Sequence, residues 1–198
     1  MAAKSRKSTD RKTEIIEASA ALFEKVGYHG ASMQMVADAV NLGKPTLYHY
    51  FRSKSEILFA IHQNAIVTLL DSYATRAKDD VAPNVRLEGM CHDMLTFISE
   101  HPGYTRAFFE HFDELDDEHK IEARAQRRRY LQLTIDAIRS GIKSGLFVKC
   151  DPRVAALAFL GMCNWTYKWF PTEDKVNVKK TAETLSSLFL KGLYARPS

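Results

Sequence analysis

The segment from Gly43 to Lys54 restricts the possible folds of this chain more than any other, because it allows only a very short helix followed at once by a second helix. Gly43 ends the preceding element, and Pro45 fits the first turn of a helix, where its missing amide proton costs nothing. Leu47 and Phe51 give this short helix one apolar side. The remaining side chains are mostly small, aromatic or cationic, which suits a phosphate backbone and base edges better than a small molecule.

A long helix is predicted to follow directly, from Ser53 to about Ala77. Ser53 is suited to cap this helix, and Glu56 completes the Ser-x-x-Glu pattern of a capping box. Its apolar positions recur at near-helical spacing, at Ile57, Leu58, Ile61, Ala65 and Leu69. Because no flexible linker separates the two helices, a tilt of the long helix is expected to move the short helix with it.

Another short helix is predicted directly upstream, from Ser32 to Val40. Ser32 is a suitable N-cap for it. Its buried side is formed by Met35, Val36, Ala39 and Val40. The linker at 41–43 is the short, glycine-containing turn that is expected between the helices of a helix-turn-helix.

The run from Ile15 to Phe59 resembles the DNA-binding domain of the tetracycline-repressor (TetR) family, because spacing, glycines and helix order agree together. The resemblance includes Leu-Tyr-His-Tyr-Phe at 47–51 and Lys-Ser-Glu at 54–56. It implies an all-α fold, in which an N-terminal three-helix helix-turn-helix domain precedes a C-terminal helical domain for ligand binding and dimerisation. The other interpretation of the motif is a small structural helical hairpin in an enzyme.

Three segments are expected from this organisation. Residues 1–9 are predicted to be a disordered basic arm, residues 10–55 the helix-turn-helix domain, and residues 56–198 the effector-binding and dimerisation domain. The first helix is predicted at 10–26, and Gly27 after it is suited to the left-handed conformation that often ends a helix.

The resemblance also implies which residues contact DNA. The residues expected at the major groove are Lys44, Pro45, Thr46, Tyr48 and His49. The residues expected to hold phosphate groups are Ser32, Tyr48, His49 and Lys54. Met33, beside Ser32, is included in the predicted DNA-binding surface. The expected partner is double-stranded operator DNA.

The net charge of +4 belongs entirely to the DNA-binding part of the chain. Residues 1–55 contain 9 Lys and Arg against 5 Asp and Glu, and the remainder contains 19 of each kind. Positive charge at this place attracts DNA and releases condensed counterions on binding. A solubilising tail would explain the cations at the N-terminus, but not the agreement between charge and motif.

The second domain is predicted to be all-helical, with helices at about 84–100, 103–112, 117–144, 151–170 and 175–193 after a loop at 78–83. The helix at 117–144 has a core stripe at Leu131, Ile135, Ile138 and Ile142. The arginines at 127–129 precede this stripe and point in different directions around the helix. Most of them are expected to be solvated or paired, and one facing a cavity is the alternative.

The helix at 151–170 is apolar on several sides and must therefore be buried on several sides. The last helix has a similar surplus of apolar residues. Together they are expected to form a four-helix interface with a second copy, because a helix-turn-helix usually acts in pairs on a two-fold-related operator. The predicted interface residues are Ala158, Trp165, Leu185, Leu188 and Phe189. Packing within one protomer is the other interpretation.

The effector is predicted from a second resemblance, because the segments 164–171 and 140–147 are similar to family members that sense acyl-CoA thioesters in lipid or sterol breakdown. The candidate effector-binding residues are Phe108, Phe109, Arg128, Met162, Trp165 and Trp169. The alternative ligand is an apolar aromatic or cationic compound, held by aromatic faces with an acid such as Glu110 nearby.

Other functions find little support in the sequence. It contains no phosphate-binding glycine loop, nucleophile elbow or metal-binding histidine spacing, so no enzyme activity, cofactor or metal site is predicted. Cys91, Cys150 and Cys163 are expected to be buried free thiols. The chain has neither a long apolar run nor a signal sequence, so no membrane association and a cytoplasmic location are expected.

Overall fold

The computed structural model describes residues 2–76, 81–170 and 177–194, with side chains from residue 11 onward. The described residues form nine α-helices and two 3₁₀ turns without any β-strand, which confirms the predicted all-α fold. Helices α1 to α9 span Ala2–Val26, Met33–Ala39, Lys44–Tyr50, Lys54–Arg76, Pro83–Glu100, Pro102–Glu110, Asp117–Lys143, Pro152–Asn164 and Val178–Leu193. The 3₁₀ turns span Phe112–Glu114 and Trp165–Lys168. Residues 78–80 of the predicted loop at 78–83 lie outside the described residues.

Helix α1 begins earlier than the sequence suggests. Its backbone is helical from Ala2, whereas residues 1–9 are expected to be disordered. No proline or glycine interrupts residues 2–9, and their alanine, lysine and arginine residues have high helix propensity, so the helix extends upstream. It ends at Val26, and Gly27 follows with a φ of +77°, as the sequence predicts.

The two predicted N-caps are present, but one differs in detail. The Ser32 hydroxyl accepts a hydrogen bond from the Met35 amide at 3.2 Å, and the Ser53 hydroxyl accepts one from the Glu56 amide at 3.1 Å. In a capping box the Glu56 carboxylate would accept from the amide of Ser53. It accepts instead from the amide of Arg52, one residue earlier, at 2.6 Å, so the carboxylate fixes the turn that enters α4.

Unit 1 is the first of two compact units and consists of Met1–Ala65 and His101–Ala123. It therefore contains α6 and the 3₁₀ turn after it in addition to the helix-turn-helix. Its fully buried side chains include Ile15, Phe23, Leu47, Phe51, Ile57, Leu58 and Ile61. The apolar positions predicted for α3 and for the first turns of α4 thus lie in one common core.

Helix α6 contacts α1 at very short range within unit 1. A Cβ atom placed on Gly103 would lie 2.5 Å from the carbonyl oxygen of Ala20. This approach is possible only because glycine has no side chain, and a side chain here would meet backbone rather than a movable group. Gly103 therefore sets the separation of the two helices.

Unit 2 consists of Ile66–Glu100 and Arg124–Ser198. Within it α5 contacts α9 most extensively, and α8 contacts both α5 and α9. Asp151 caps α8 by accepting from the amide of Arg153 at 2.8 Å, and Asn177 caps α9 by accepting from the amide of Lys180 at 2.9 Å. Helix α4 and helix α7 each continue along the chain from one unit into the other.

Helix α8 is shorter than predicted. The sequence predicts one helix over 151–170, but α8 ends at Asn164 and a 3₁₀ turn follows over Trp165–Lys168. The buried Thr166 hydroxyl donates to the carbonyl of Cys163 at 2.7 Å, and the amide of Trp169 donates to the carbonyl of Thr166 at 3.1 Å. These short-range bonds replace the ladder of an α-helix and tighten the chain.

Candidate DNA interface and effector-binding unit

Helix α3 separates its side chains into a buried and an exposed set. Leu47 and Phe51, at its end, are buried in the core of unit 1. The residues predicted at the major groove are all exposed, namely Lys44, Pro45, Thr46, Tyr48 and His49. The pattern arises because Leu47 anchors the only apolar face of this two-turn helix, which leaves the other positions directed at solvent. An exposed aromatic, an imidazole and a cation are therefore concentrated on one short helix.

The N-terminus of α2 contributes two of the predicted residues. Ser32 is exposed and caps the helix, so its hydroxyl is already used by the Met35 amide. Met33 is half-buried and packs against the core of unit 1. Ser32 is thus accessible to a phosphate group, whereas only part of Met33 is available for contact with a ligand.

Lys54 has a structural role in addition to its predicted contact with phosphate. Its ammonium group donates hydrogen bonds to the carbonyl oxygens of Tyr28 at 2.6 Å and Ala31 at 2.8 Å. The same Nζ lies 4.3 Å from the centroid of the Tyr28 ring. Partial burial lowers the pKa of Lys54, while the charge of Glu114 acts in the opposite direction. Lys54 thereby connects the start of α4 to the loop between α1 and α2.

A cluster of ring side chains surrounds this loop. Tyr28 lies with its ring centroid 5.5 Å from that of His29 and 5.4 Å from that of His111. His29 Nε2 is 3.0 Å from a carboxylate oxygen of Glu114, in the 3₁₀ turn after α6. Burial, together with the negative charge of Glu114, raises the pKa of Tyr28 to about 12, so this hydroxyl is protonated at neutral pH. The cluster joins the helix-turn-helix to α6.

The six predicted effector-binding residues do not all belong to one unit. Phe108 and Phe109 lie on α6 in unit 1. There the Phe108 ring stacks on the His62 ring, with 5.0 Å between the ring centroids. The other four lie in unit 2, at Arg128, Met162, Trp165 and Trp169. Trp165 is 64% exposed, so its indole lies on the surface of the protomer. Met162 and Trp169 are half-buried, and Arg128 is exposed.

The interior of unit 2 contains a cluster of polar groups that the sequence does not predict. Tyr130 on α7 is buried, and desolvation raises its pKa far above the usual value. Cys91 and Cys163 are both buried, and a hydrogen bond between their thiols raises the pKa of Cys163. Two of the three thiols thus match the prediction, but Cys150 is exposed because it follows α7 in a surface turn. The clustering of Tyr130 with the two cysteines has no signal in sequence spacing, because three different helices supply the residues.

Unit 2 also has an open cleft of about 440 Å³ between the end of α4, α5 and α9. Arg76 lies in this cleft, and its Nε donates to the Asp93 carboxylate at 2.9 Å. The other charged residues that line it are Glu88, Lys179, Glu183 and Lys191. None of the predicted effector-binding residues lines this cleft. Its charges are of both signs, so they favour no single class of ligand.

Helix α8 has a broad exposed apolar face. Val154 is 62% exposed and Leu157 is 49% exposed. Ala158, Gly161 and Trp165 continue the same side of the helix at helical spacing and are exposed as well. On α9, Leu188 is 63% exposed and Leu185 is half-buried. Phe189 is half-buried, and its ring lies 5.2 Å from that of Phe159, so part of it packs inside the protomer.

The described residues contain neither a candidate metal site nor a candidate membrane span. No three histidine, cysteine, aspartate or glutamate side chains there form a group that could hold a metal ion. None of the described helices combines the length and the apolar content that a membrane-spanning segment requires.

A helix-turn-helix with an exposed polar recognition helix, joined through a continuous α4 to a larger helical unit, defines a DNA-binding transcriptional regulator rather than an enzyme. Comparison with protein families agrees with this class. Residues 15–61 match the model for bacterial regulatory proteins of the tetR family, and residues 80–193 match the tetracyclin repressor-like C-terminal domain. The chain therefore belongs to the TetR family of transcriptional regulators.

Individual relatives match most of the length of the chain. The uncharacterized HTH-type transcriptional regulator YhgD of Bacillus subtilis is 28% identical over 193 residues, which cover 95% of this chain and 99% of YhgD. The crystal structure of PfmR from Thermus thermophilus superposes with a TM-score of 0.84 at 28% identity, covering 91% of this chain and 99% of PfmR. The structure of AibR in complex with isovaleryl coenzyme A and operator DNA superposes with a TM-score of 0.81 at 27% identity, covering 90% of this chain and 97% of AibR.

Proposed function

We propose that this regulator is a homodimeric repressor that binds a two-fold-related operator and is released from it by an acyl-CoA thioester. The observation that carries the DNA-binding part is the exposed set of side chains on α3, which provides cationic and aromatic groups while Leu47 anchors the helix from behind. A helix of this kind reads base edges, and the N-cap of α2 and nearby cations hold phosphates.

The dimer is supported by the exposed apolar face of α8 and by Leu188 of α9. Single exposed apolar residues are ordinary, but Val154 and Leu157 lie on one side of α8, and the exposed Trp165 begins the 3₁₀ turn directly after it. Pairing these helices with those of a second copy would bury this face. It would also place two α3 helices on one DNA duplex, where half-sites recur about 34–36 Å apart.

The effector class is supported by the likeness to AibR, which was solved with isovaleryl coenzyme A and operator DNA. In this chain α4 continues from unit 1 into unit 2 without a break, since Lys54–Arg76 is one helix. A thioester that binds unit 2 better for one orientation of α4 would shift the population toward that orientation. Because no flexible linker separates α3 from α4, the new orientation of α4 would change the spacing of the two α3 helices in the dimer. This change would weaken operator binding.

The test is thermodynamic reciprocity. If a thioester weakens operator binding by some factor, saturating operator must weaken thioester binding by the same factor. Affinity for isovaleryl-CoA and stearoyl-CoA is to be measured by calorimetry with and without operator DNA, and lipophilic cations serve as the comparison arm. Coupled affinities for a thioester support the proposal. Equal affinities with and without operator contradict it, and coupling to a cation alone would favour a regulator of the multidrug type.

A further inference from the structure

One face of α7 changes from cationic to apolar along the helix axis. At about 100° per residue, Arg124, Arg127 and Arg128 lie within an arc of about 100°. Leu131, Ile135 and Ile138 continue the same arc further along the helix. The distance along the axis from Arg128 to Ile135 is about 10 Å. A ligand that follows this face would meet cations at one end and apolar side chains at the other.

Burial changes along the same face. Arg124 and Arg128 are exposed, Leu131 is half-buried, and Ile135 and Ile138 are buried. Arg127 lies at the transition, since its Nε has almost no solvent-accessible surface. Desolvation lowers the pKa of Arg127 to about 10. The cationic end is thus at the surface, and the apolar end leads into unit 2.

We propose that Arg124, Arg127 and Arg128 bind the phosphorylated nucleotide of a coenzyme A thioester, and that its acyl end lies toward the apolar part of α7. This inference rests on the proposed function and names how the effector is recognised. Coenzyme A has the same polarity as this face, with phosphate groups at one end and the acyl group at the other. Planar guanidinium groups match phosphate oxygens through paired hydrogen bonds.

Arg128 and Arg129 provide a matched test. Both are exposed arginines in neighbouring positions of α7, but Arg129 points about 150° away from the centre of the cationic arc. R128E and R129E therefore change the same charge by the same amount on different sides of one helix. Only R128E reverses a charge on the proposed nucleotide-binding face.

The experiment measures binding of isovaleryl-CoA, of the same acyl group on pantetheine, and of coenzyme A itself to the wild type and both variants. R128E is expected to weaken binding of the CoA thioester and of coenzyme A by about tenfold or more. Binding of the pantetheine thioester, which has no nucleotide, should be weaker in the wild type and unchanged in R128E. R129E should behave as the wild type throughout, and circular dichroism and operator binding should be equal for all three proteins.

The possible failures are distinguishable. If the wild type binds the CoA thioester and R128E and R129E bind it equally well, the nucleotide lies elsewhere and only this inference is wrong. If R128E weakens operator binding without any thioester present, the face contacts DNA and the inference is again wrong. If no CoA thioester binds the wild type, the proposed effector class itself is wrong.

Discussion

The ammonium group of Lys54 lies 2.6 Å from the carbonyl oxygen of Tyr28 and 4.3 Å from the centroid of its ring. Lys54 is the first residue of α4, and Tyr28 lies in the loop that joins α1 to α2. With the second bond to Ala31, two of the three N–H groups of this ammonium are used inside unit 1. One donor remains that could reach a phosphate.

Lys54→Ala is therefore expected to have two effects. Loss of two charge-assisted hydrogen bonds should lower the free energy of unfolding by about 1–2 kcal/mol. If the remaining donor contacts phosphate, operator affinity should fall about equally for all DNA sequences. The slope of log affinity against log salt concentration should then decrease in magnitude by about one. Urea unfolding and binding at several salt concentrations measure the two effects separately. Lys44→Ala is the control, because Lys44 is exposed and its loss should change the free energy of unfolding by less than about 0.5 kcal/mol.

Tyr48 and Leu47 are neighbours on α3 with opposite expected roles. Tyr48 is 43% exposed and Leu47 is 0% exposed. Tyr48→Ala should weaken operator binding by about tenfold or more and leave the unfolding midpoint nearly unchanged. Leu47→Ala should lower the free energy of unfolding by about 2–5 kcal/mol, because it leaves a cavity in the core of unit 1. A Tyr48→Ala variant with unchanged operator affinity would contradict the assignment of α3 to DNA recognition.

Leu188→Glu should weaken the proposed dimer. A charge at this exposed position of α9 would be desolvated in an interface between two copies, so the dimer dissociation constant should rise about tenfold or more. Sedimentation over a range of concentrations measures it, with circular dichroism to show that helix content is unchanged. Lys179→Glu is the control, since this exposed residue lies on the opposite side of α9. A wild-type protein that stays monomeric at micromolar concentration would show that the exposed face has another use.

Much of this architecture could be predicted because its signals are local. Gly27, Ser32 and Pro45 each act on the backbone within a few residues, and they mark the helix ends that the structure has. The apolar positions Leu47 and Phe51 were sufficient to predict which side of α3 is buried. The exposed set on α3 then follows by elimination, which is why that part of the candidate DNA interface could be obtained from the sequence.

The contacts that join distant segments could not be predicted. Lys54 and Tyr28 are 26 positions apart, and nothing in their spacing indicates that an ammonium group binds the loop at 27–31. The inclusion of α6 in unit 1 depends on its close approach to α1, which the sequence shows only as a lone Gly103 after Pro102. The early end of α8 is accompanied by a hydrogen bond from one buried hydroxyl, that of Thr166, which the aromatic pattern of the segment does not indicate.

Unit 1 is expected to lose stability in mild acid through His111. Burial lowers the pKa of His111 below 6.5, and the positive charges of His29 and Arg106 lower it further. The negative charges of Glu110 and Glu114 raise this pKa, but burial is the largest cause. A group with a lowered folded-state pKa contributes its stability fully above the unfolded value of about 6.5 and loses it as pH falls through the folded value. Urea unfolding at about pH 7.5 and 5.5 should therefore show a smaller acid-induced loss for His111→Gln than for the wild type. An equal loss in both proteins would assign the acid sensitivity to other groups.

The close approach of α6 to α1 predicts that alanine destabilises the protein at Gly103. The sign of the effect of such a substitution depends on whether the added methyl group meets backbone or open space. In Gly103→Ala the new Cβ would lie 2.5 Å from the Ala20 carbonyl oxygen and 2.8 Å from its carbon, so one helix must move. The free energy of unfolding should fall by about 1–3 kcal/mol, as in other overpacked cores. Gly192→Ala is the matched control, because Gly192 is also helical and exposed. Apart from its chain neighbours and the backbone of its own helix turn, no described atom lies within 4 Å of the place that its methyl group would take. There alanine should stabilise the helix by up to about 1 kcal/mol. Thermal and urea unfolding of the two variants should thus differ in sign, and a stabilised Gly103→Ala protein would show that α1 and α6 are further apart than the structure has them.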